Sequence, residues 1–195
     1  MSPETAAFEQ ALAFHCAPTL AALTCANLIS LSQTDYPGLK DLLRDYSPRL
    51  EEAGILLFPL CRYRRRSLLL VCRPALLEDQ LALPPVREFL ADMGYPMAAG
   101  LFPVLEHLRR QVEYSGGFPH EIGFFLGYPP ADVLGFLTLG GRNCKLCGYW
   151  KVYSDVEYAR RCFQRFDRSR ARLLHEVRQG RSLPELLAPL SRRAA

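Results

Sequence analysis

The sequence predicts an α+β fold that is mainly helical and carries a small antiparallel sheet of about three strands. Two short apolar runs, "ILLFPLCRY" and "RSLLLVCR", are separated by a basic stretch and indicate a β-hairpin near residues 55–72. A third segment near residues 148–153, "GYWKVYS", alternates and is rich in aromatic side chains, which favours a strand beside that hairpin. Most of the remaining chain has the apolar spacing of helices.

Three helices are predicted before the hairpin. The first covers residues 4–14, and a proline then opens a second, very apolar helix over residues 18–32. A third follows "DYPG", where leucines recur at helical spacing. Pro48 is expected to kink or divide this helix, and Gly54 is expected to end it.

Basic residues are predicted at the tip of the hairpin. Their charges keep the turn in water and discourage pairing with other sheet edges. The residues are Arg62, Arg64, Arg65 and Arg66.

Helical patterns return after the hairpin and continue to the C-terminal region. They cover residues 74–81, 85–93, 99–114, 119–126, 130–139 and 155–179. A last short helix starts near Ser182, with Glu185 at the capping-box position. The pair at 119–139 has the spacing of a DNA-binding helix–turn–helix. Its second helix offers Asp132 and almost no donors for base edges, which argues against nucleic-acid binding.

Composition is that of an ordinary soluble globular chain, with 195 residues, 49% hydrophobic and 23% charged. The length predicts a single domain over residues 1–195, with a basic C-terminal helical segment at about 155–195. No secretory signal is visible at the N-terminus, and polar residues and a proline interrupt the uncharged stretch at 11–34. We therefore expect a cytoplasmic protein that does not enter the membrane.

Charge is unevenly distributed along the chain. Residues 151–195 carry eleven basic and five acidic side chains, a balance of +6, whereas the whole chain carries +4. Such a segment is suited to an acidic protein, a nucleic acid or an anionic cofactor, and the alternative is a solvated helix face.

Seven cysteines occur, an odd number, in a chain without a visible secretory signal. This combination argues against a disulfide framework and favours free thiols or metal ligation. Two of them form the motif Cys144-x-x-Cys147, a spacing that chelates zinc or iron or forms a redox pair. A complete metal site would need His120 and either Cys16 or Cys162 as further ligands. The alternative is a loop with two incidental cysteines.

The segment "FPHEIGFFLGY" places His120 and Glu121 side by side. If Pro119 begins a helix, Glu121 lies in its first turn, where the helix dipole favours a carboxylate. His120 near the same helix start is expected to be neutral, the form that ligates a metal or accepts a proton. An ordinary hydrogen-bonded histidine is the alternative.

Cys16 lies just before Pro18, near a predicted helix start that would favour its thiolate. With His120 as base and Glu121 or Asp132 as orienting acid, it would form a nucleophilic triad. The alternative is a small buried core residue.

Aromatic and basic side chains alternate in the strand predicted near residues 148–153. Tyr149, Lys151 and Tyr153 would share one face, and Trp150 and Val152 would face the core. The first face is suited to stacking on a flavin, a haem or a base, although surface strands use the same residues.

Three segments together resemble an uncharacterised bacterial family, a domain of unknown function found mostly in anaerobes. They are "FHCAPTLAALTCANLISL", "FPHEIGFFLGYPPADVLGF" and "CGYWKVYSD". The resemblance covers nearly the whole chain. It implies a cytoplasmic protein of anaerobic redox or metal metabolism, with a flavodoxin-type or iron-handling protein as a partner.

Three functional hypotheses follow. The first is a redox or metal accessory protein that holds zinc, iron or a redox cofactor through Cys16, His120, Cys144 and Cys147, with Tyr149, Lys151 and Tyr153 against the cofactor. The second is an enzyme of acyl or thiol transfer built on Cys16, His120 and Glu121. The third is an adaptor without catalysis that docks through its basic C-terminal helix. Substrate, metal identity and oligomeric state are open at this point.

Overall fold

The computed structural model describes residues 2–63, 65–114 and 118–191 and confirms the mainly helical α+β class. The chain divides into two compact units. Unit 1 comprises Met1–Pro74 and Phe166–Ala195, and unit 2 comprises Ala75–Arg165. This division does not test the single-domain prediction, which stays a prediction. Within the described residues, no helix is both long and apolar enough to cross a membrane.

Unit 1 places helices around a three-stranded antiparallel sheet. Its elements up to residue 74 are α1 (Pro3–His15), α2 (Ala17–Leu20), β1 (Ala26–Ser32), α3 (Leu39–Glu51), β2 (Leu56–Tyr63) and β3 (Arg66–Cys72). The C-terminal part contributes α10 (Leu183–Ser191) and the residues after 165 of α9 (Val156–Arg178). Core side chains come from both parts, including Phe8, Leu50, Val71, Leu183 and Leu187.

The strand order is β1-β3-β2. Strands β2 and β3 form the predicted hairpin, and β1 pairs with the other edge of β3. The turn joins Tyr63 to Arg66, as predicted from the basic stretch, and Arg64 lies outside the described residues. Arg66 donates from Nε to Ser30 Oγ at 2.6 Å and from Nη2 to Ser30 O at 2.7 Å, which ties the tip to β1. Pro59 sits in β2, an edge strand, at a register shift where a missing N–H is tolerated.

The predicted helix over residues 18–32 is wrong. Helix α2 ends at Leu20, Ala22 has a φ of 54°, and residues 26–32 form a strand instead. Ile29 and Leu31 are buried while Ser30 and Ser32 are half-exposed, which is the period of two of a strand. The apolar run concealed this alternation, and pairing with β3 decided the outcome.

The third strand of the main sheet is therefore β1 and not the segment near residues 148–153. That segment contributes β5 (Lys151–Val152), which pairs with β4 (Leu146–Cys147) in a separate two-stranded sheet in unit 2. The prediction that this segment forms a strand is confirmed at Lys151–Val152, but the prediction that it pairs with the hairpin of residues 55–72 is wrong.

Helix α3 continues to Glu51 with Pro48 inside it, so the proline does not divide the helix. Gly54 follows with a φ of 71°, a left-handed conformation that suits glycine and ends the helical segment as predicted.

Unit 2 is an assembly of helices with the β4–β5 hairpin. The helices are α4 (Pro74–Ala82), α5 (Pro84–Asp92), α6 (Leu101–Tyr114), α7 (Ile122–Phe125), α8 (Pro130–Leu139) and the part of α9 before residue 166. Their bounds confirm the predicted helices, except that α7 is shorter than the predicted 119–126. Fully buried side chains include Leu77, Leu90, Leu105, Phe124, Phe125 and Val152.

Candidate functional site

Asp132 fixes the β4–β5 hairpin to α8. Its carboxylate is 2% exposed and accepts four hydrogen bonds. Trp150 Nε1 donates to Oδ2 at 2.7 Å. The Tyr153 N–H, the Ser154 N–H and the Ser154 hydroxyl donate to Oδ1 at 2.8, 2.7 and 2.8 Å. Because these donors reach both oxygens, Asp132 serves as a structural anchor for the hairpin. Its predicted role in orienting His120 stays a prediction.

Two glycines allow the hairpin to lie close to its neighbours. A Cβ on Gly135 of α8 would lie 2.7 Å from the Tyr153 ring, and one on Gly148 would lie 2.2 Å from the Phe163 ring of α9. Trp150 and Val152 point into the core at 8% and 0% exposure, as the alternation predicts. Tyr149 and Tyr153 are half-buried and Lys151 is exposed.

Glu121 occupies the N-cap position of α7, and its carboxylate has a buried partner. Helix α7 begins only at Ile122, and the Glu121 side chain makes no capping hydrogen bond. Its carboxylate is 5% exposed and accepts a 2.9 Å hydrogen bond from the hydroxyl of Tyr95. Burial, the charge of Glu121 and this hydrogen bond together raise the pKa of Tyr95. The prediction that Glu121 lies in the first helical turn is therefore wrong.

His120 is exposed and precedes α7, so it does not occupy the predicted second position of a helix. Its ring lies edge-on to the ring of Phe136, with 5.1 Å between centroids. An exposed imidazole against an aromatic ring is accessible to a ligand on its free side.

His120 and Lys151 flank a cavity of about 270 Å³ in unit 2, which we call the motif cleft. Its aromatic walls are Phe118, Tyr128, Phe136 and Trp150, and the rings of Tyr128 and Trp150 are stacked at 5.3 Å. Lys151 Nζ donates to Gly141 O at 2.7 Å and lies 5.7 Å from the Phe136 ring centroid. Two of the three resembling segments thus meet at one cleft, whose lining is mainly apolar and includes His120, Lys151 and the buried Asp132.

A pair of thiols lies beside this cleft. Cys144 Sγ and Cys147 Sγ are 3.0 Å apart, and Cys147 is exposed. Cys147 is the cross-strand partner of Lys151, which lines the cleft. The hydrogen bond with Cys144 is the main cause that raises the pKa of Cys147 above its ordinary 9.0. Loss of some surrounding water and the charge of Cys144 act in the same direction, and the Lys151 charge opposes them.

Cys16 is completely buried in the core of unit 1, between α1 and α2. Burial raises the pKa of its thiol, which disfavours the thiolate that a nucleophile requires. Burial, with the charge of Arg170, also lowers the pKa of the adjacent His15. Cys16 belongs to unit 1, whereas His120 and Glu121 belong to unit 2, and their catalytic grouping stays a prediction.

Within residues 2–63, 65–114 and 118–191, no group of three or more His, Cys, Asp or Glu side chains is arranged to hold a metal ion. Of the four predicted metal ligands, the structure brings Cys144 and Cys147 together as a pair.

Sequence reasoning missed the partners that define this region. Tyr95 was not connected to Glu121, nor Trp150 to Asp132, because each pair is separated by about twenty residues or more and neither pattern is local. Phe136 is half-buried and lines the motif cleft, a position that its sequence neighbours do not indicate. No local sequence pattern marks a carboxylate that is buried against the hydroxyl of a distant tyrosine or the indole N–H of a distant tryptophan.

Comparison with known proteins identifies the chain at the level of the family. No curated protein sequence and no solved structure matches it. A family match extends over residues 12–187, nearly the whole chain and all of the residues that form the motif cleft and the thiol pair. The chain belongs to the family described as "Protein of unknown function (DUF3793)".

Proposed function

We propose that this protein is a redox accessory protein in which Cys144 and Cys147 form a dithiol–disulfide couple. The observation that carries the proposal is the 3.0 Å separation of the two sulfur atoms on an exposed hairpin. A disulfide requires about 2.05 Å, so the sulfurs need to approach by about 1 Å. The couple is accessible, whereas Cys16, Cys25 and Cys72 are buried.

The reaction is a two-electron exchange. Two S–H bonds break and one S–S bond forms, while two protons and two electrons pass to an acceptor that itself carries a disulfide. The acceptor disulfide is cleaved to two thiols, so that atoms and electrons balance. Lys151 stabilises the attacking thiolate of Cys147 across the hairpin.

The motif cleft supports the proposal because it offers a binding site next to the couple. Its walls are mainly apolar and aromatic, and His120, Lys151 and Asp132 are its charged or polar lining residues. Such a lining suits a small planar molecule or an aromatic side chain of a partner protein. A partner protein that carries the acceptor disulfide would bind here.

The experiment is a redox titration of protein purified without oxygen. The protein is equilibrated in buffers of reduced and oxidised glutathione, free thiols are trapped by alkylation, and the peptide containing both cysteines is analysed by mass spectrometry. We expect a Cys144–Cys147 disulfide that forms with a two-electron dependence, about 30 mV for each tenfold change in the ratio of oxidised to reduced protein.

Serine variants provide the controls. Cys144→Ser and Cys147→Ser should each abolish this disulfide, whereas Cys162→Ser, which changes another half-buried cysteine of unit 2, should retain it. If the two cysteines stay reduced in the most oxidising buffer, the proposal is wrong.

Metal binding by the same pair is the competing outcome. Elemental analysis of the anaerobic protein would then show stoichiometric zinc or iron that is lost in Cys144→Ser. That result would replace the dithiol couple with the metal site predicted from the sequence.

A further inference from the structure

A second cavity, of about 510 Å³, lies within unit 1. It is bounded by the C-terminal end of α2, by the part of α9 after residue 165 and by α10. We propose that it binds an amphipathic anion, a small molecule with a carboxylate or phosphate head and an aliphatic tail. We call it the arginine cavity, and its lining includes Leu20, Arg168, Arg172, Leu173, Arg181 and Leu187.

Uncompensated positive charge lines one side of the arginine cavity. Arg168 and Arg172 are four residues apart on α9, so they lie on the same helix face. Neither forms an ion pair within the part of the chain that the structure describes. Two like charges at this spacing destabilise a helix unless an anion lies between them. An anionic head group placed there would relieve the repulsion.

Arg181 does not add to this surplus because it is already paired. Its Nη1 lies 2.7 Å from Glu176 Oε2, and both residues line the cavity. The lining therefore carries three arginines and one glutamate, a balance of +2 (3 − 1), located on Arg168 and Arg172.

A buried cation behind the cavity wall adds to the positive potential. Arg73 is 9% exposed and donates to Thr19 O, Leu20 O and Ala53 O at 2.7, 2.7 and 3.0 Å. Among the described residues no carboxylate forms an ion pair with it, although buried charges are usually paired. Leu20, whose carbonyl accepts one of these bonds, lines the cavity. The guanidinium of Arg73 therefore engages carbonyls at the end of α2, and one of these belongs to a residue of the cavity lining.

The remaining walls are apolar and accommodate a tail. Leu20 and Leu187 are fully buried, and Leu173 and Leu186 are half-buried. The hydroxyl of Ser169 donates to Ala17 O at 3.1 Å, so it is not available to donate to a ligand. A cavity with apolar walls and a few convergent charges, within the range of about 300–1,000 Å³, is the usual form of a small-molecule site.

Calorimetric titration with four probes tests the proposal. Decanoate and decyl phosphate carry both head and tail, decanol carries only the tail, and inorganic phosphate carries only the charge. We expect at least one of the two amphipathic anions to bind about tenfold or more tightly than decanol and inorganic phosphate. The tighter of the two identifies the head group. Equal affinity for decanol, or no binding by either anion, would overturn the proposal.

Variants of α9 locate the site. Arg168→Gln together with Arg172→Gln should weaken binding of the preferred anion about tenfold or more, and lysine at both positions should retain most of it. Arg178→Gln makes the same charge change on the same helix outside the cavity lining and should change affinity less than about twofold. All three positions are exposed, so the variants should fold. An equal loss in Arg178→Gln would indicate general attraction of anions and contradict a built site. The arginine cavity belongs to unit 1 and the thiol couple to unit 2, so each proposal can fail alone.

Discussion

Asp132 shows how a single buried carboxylate determines the local structure of the site. It accepts four hydrogen bonds from three residues of the hairpin and the segment after it. A carboxylate is acceptor-only when ionised, which is why it can satisfy converging N–H and O–H groups at both oxygens. The hairpin that carries Cys147 and Lys151 depends on this residue for its position.

Asp132→Asn is therefore expected to lower the free energy of unfolding by about 3 kcal/mol. The amide of Asn replaces one carboxylate oxygen by an NH₂ group, which cannot accept the hydrogen bonds that this oxygen receives. Trp150 is the only tryptophan of the chain, so its fluorescence reports the loss of its bond during urea unfolding. Asp92→Asn, at an exposed position, should be close to neutral. A loss as small as that of Asp92→Asn would show that the hairpin is held by other contacts.

Reactivity of Cys147 is a second property of individual residues. Cys144 raises the pKa of Cys147 and Lys151 lowers it. Cys144→Ala should therefore speed alkylation of Cys147 severalfold at pH 8, and Lys151→Met should slow it. The measurement is the rate of modification of the Cys147 peptide by iodoacetamide between pH 7 and pH 10. If Cys144→Ala left the rate unchanged at every pH, the two thiols would not interact in solution.

At the scale of elements, close packing at glycine positions holds the β4–β5 hairpin against α8 and α9. The space beside Gly148 is filled by the ring of Phe163, and the ring of Tyr153 lies against Gly135. Backbone and ring approach closely only because no Cβ intervenes. The hairpin itself has only two residues in each strand, so these contacts and Asp132 stabilise it more than its own pairing does.

Gly148→Ala should destabilise the protein by about 1–3 kcal/mol, because a methyl group would overlap the Phe163 ring. Phe163→Leu in the same chain should recover part of the loss, and the double-mutant cycle measures their coupling from urea unfolding curves. A coupling energy below about 0.5 kcal/mol would show that the loss in Gly148→Ala does not come from overlap with the Phe163 ring.

At the scale of the whole molecule, unit 1 joins the two ends of the chain around a buried acid. Glu9 is 1% exposed in α1, and the hydroxyl of Tyr46 donates to it from α3. Burial raises the pKa of Glu9 above its ordinary 4.5, and the hydrogen bond with Tyr46 opposes this only in part. The fold therefore binds this proton more tightly than the unfolded chain does.

The free energy of unfolding should therefore depend on pH, because the pKa of Glu9 is higher in the folded than in the unfolded protein. The contribution of Glu9 is complete below pH 4.5 and is lost as the pH rises through the raised pKa. Glu9→Gln keeps the hydrogen bond without the charge. It should match the natural protein at pH 4.5 and exceed its free energy of unfolding at pH 8, by about 1.4 kcal/mol for each unit of the pKa shift. Urea unfolding at both pH values measures this. Glu51→Gln, an exposed change on α3, should show no such trend, and a constant difference for Glu9→Gln at both pH values would contradict the assignment.

Local sequence patterns were sufficient for most helices and for the first hairpin. Helices α4, α5, α6, α8 and α9 lie close to their predicted bounds because helix spacing, prolines and glycines act over one or two turns. The half capping box at α10 also forms, with the Ser182 N–H donating to Glu185 Oε2 at 3.3 Å. These features depend on neighbours within about four residues along the chain.

Patterns within a few residues of the chain are enough to predict the mainly helical α+β class and the β2–β3 hairpin. They also mark the two distinctive segments that contain His120 and Cys147. Contacts in the folded protein are needed to establish that residues 26–32 form the third strand, that Tyr95 donates a hydrogen bond to Glu121, and that Trp150 donates one to Asp132. The same is true of the 3.0 Å distance between the Cys144 and Cys147 sulfur atoms. Most of these depend on pairing and burial between residues far apart in the chain. An apolar run or a lone acid looks the same in sequence whichever distant surface finally covers it.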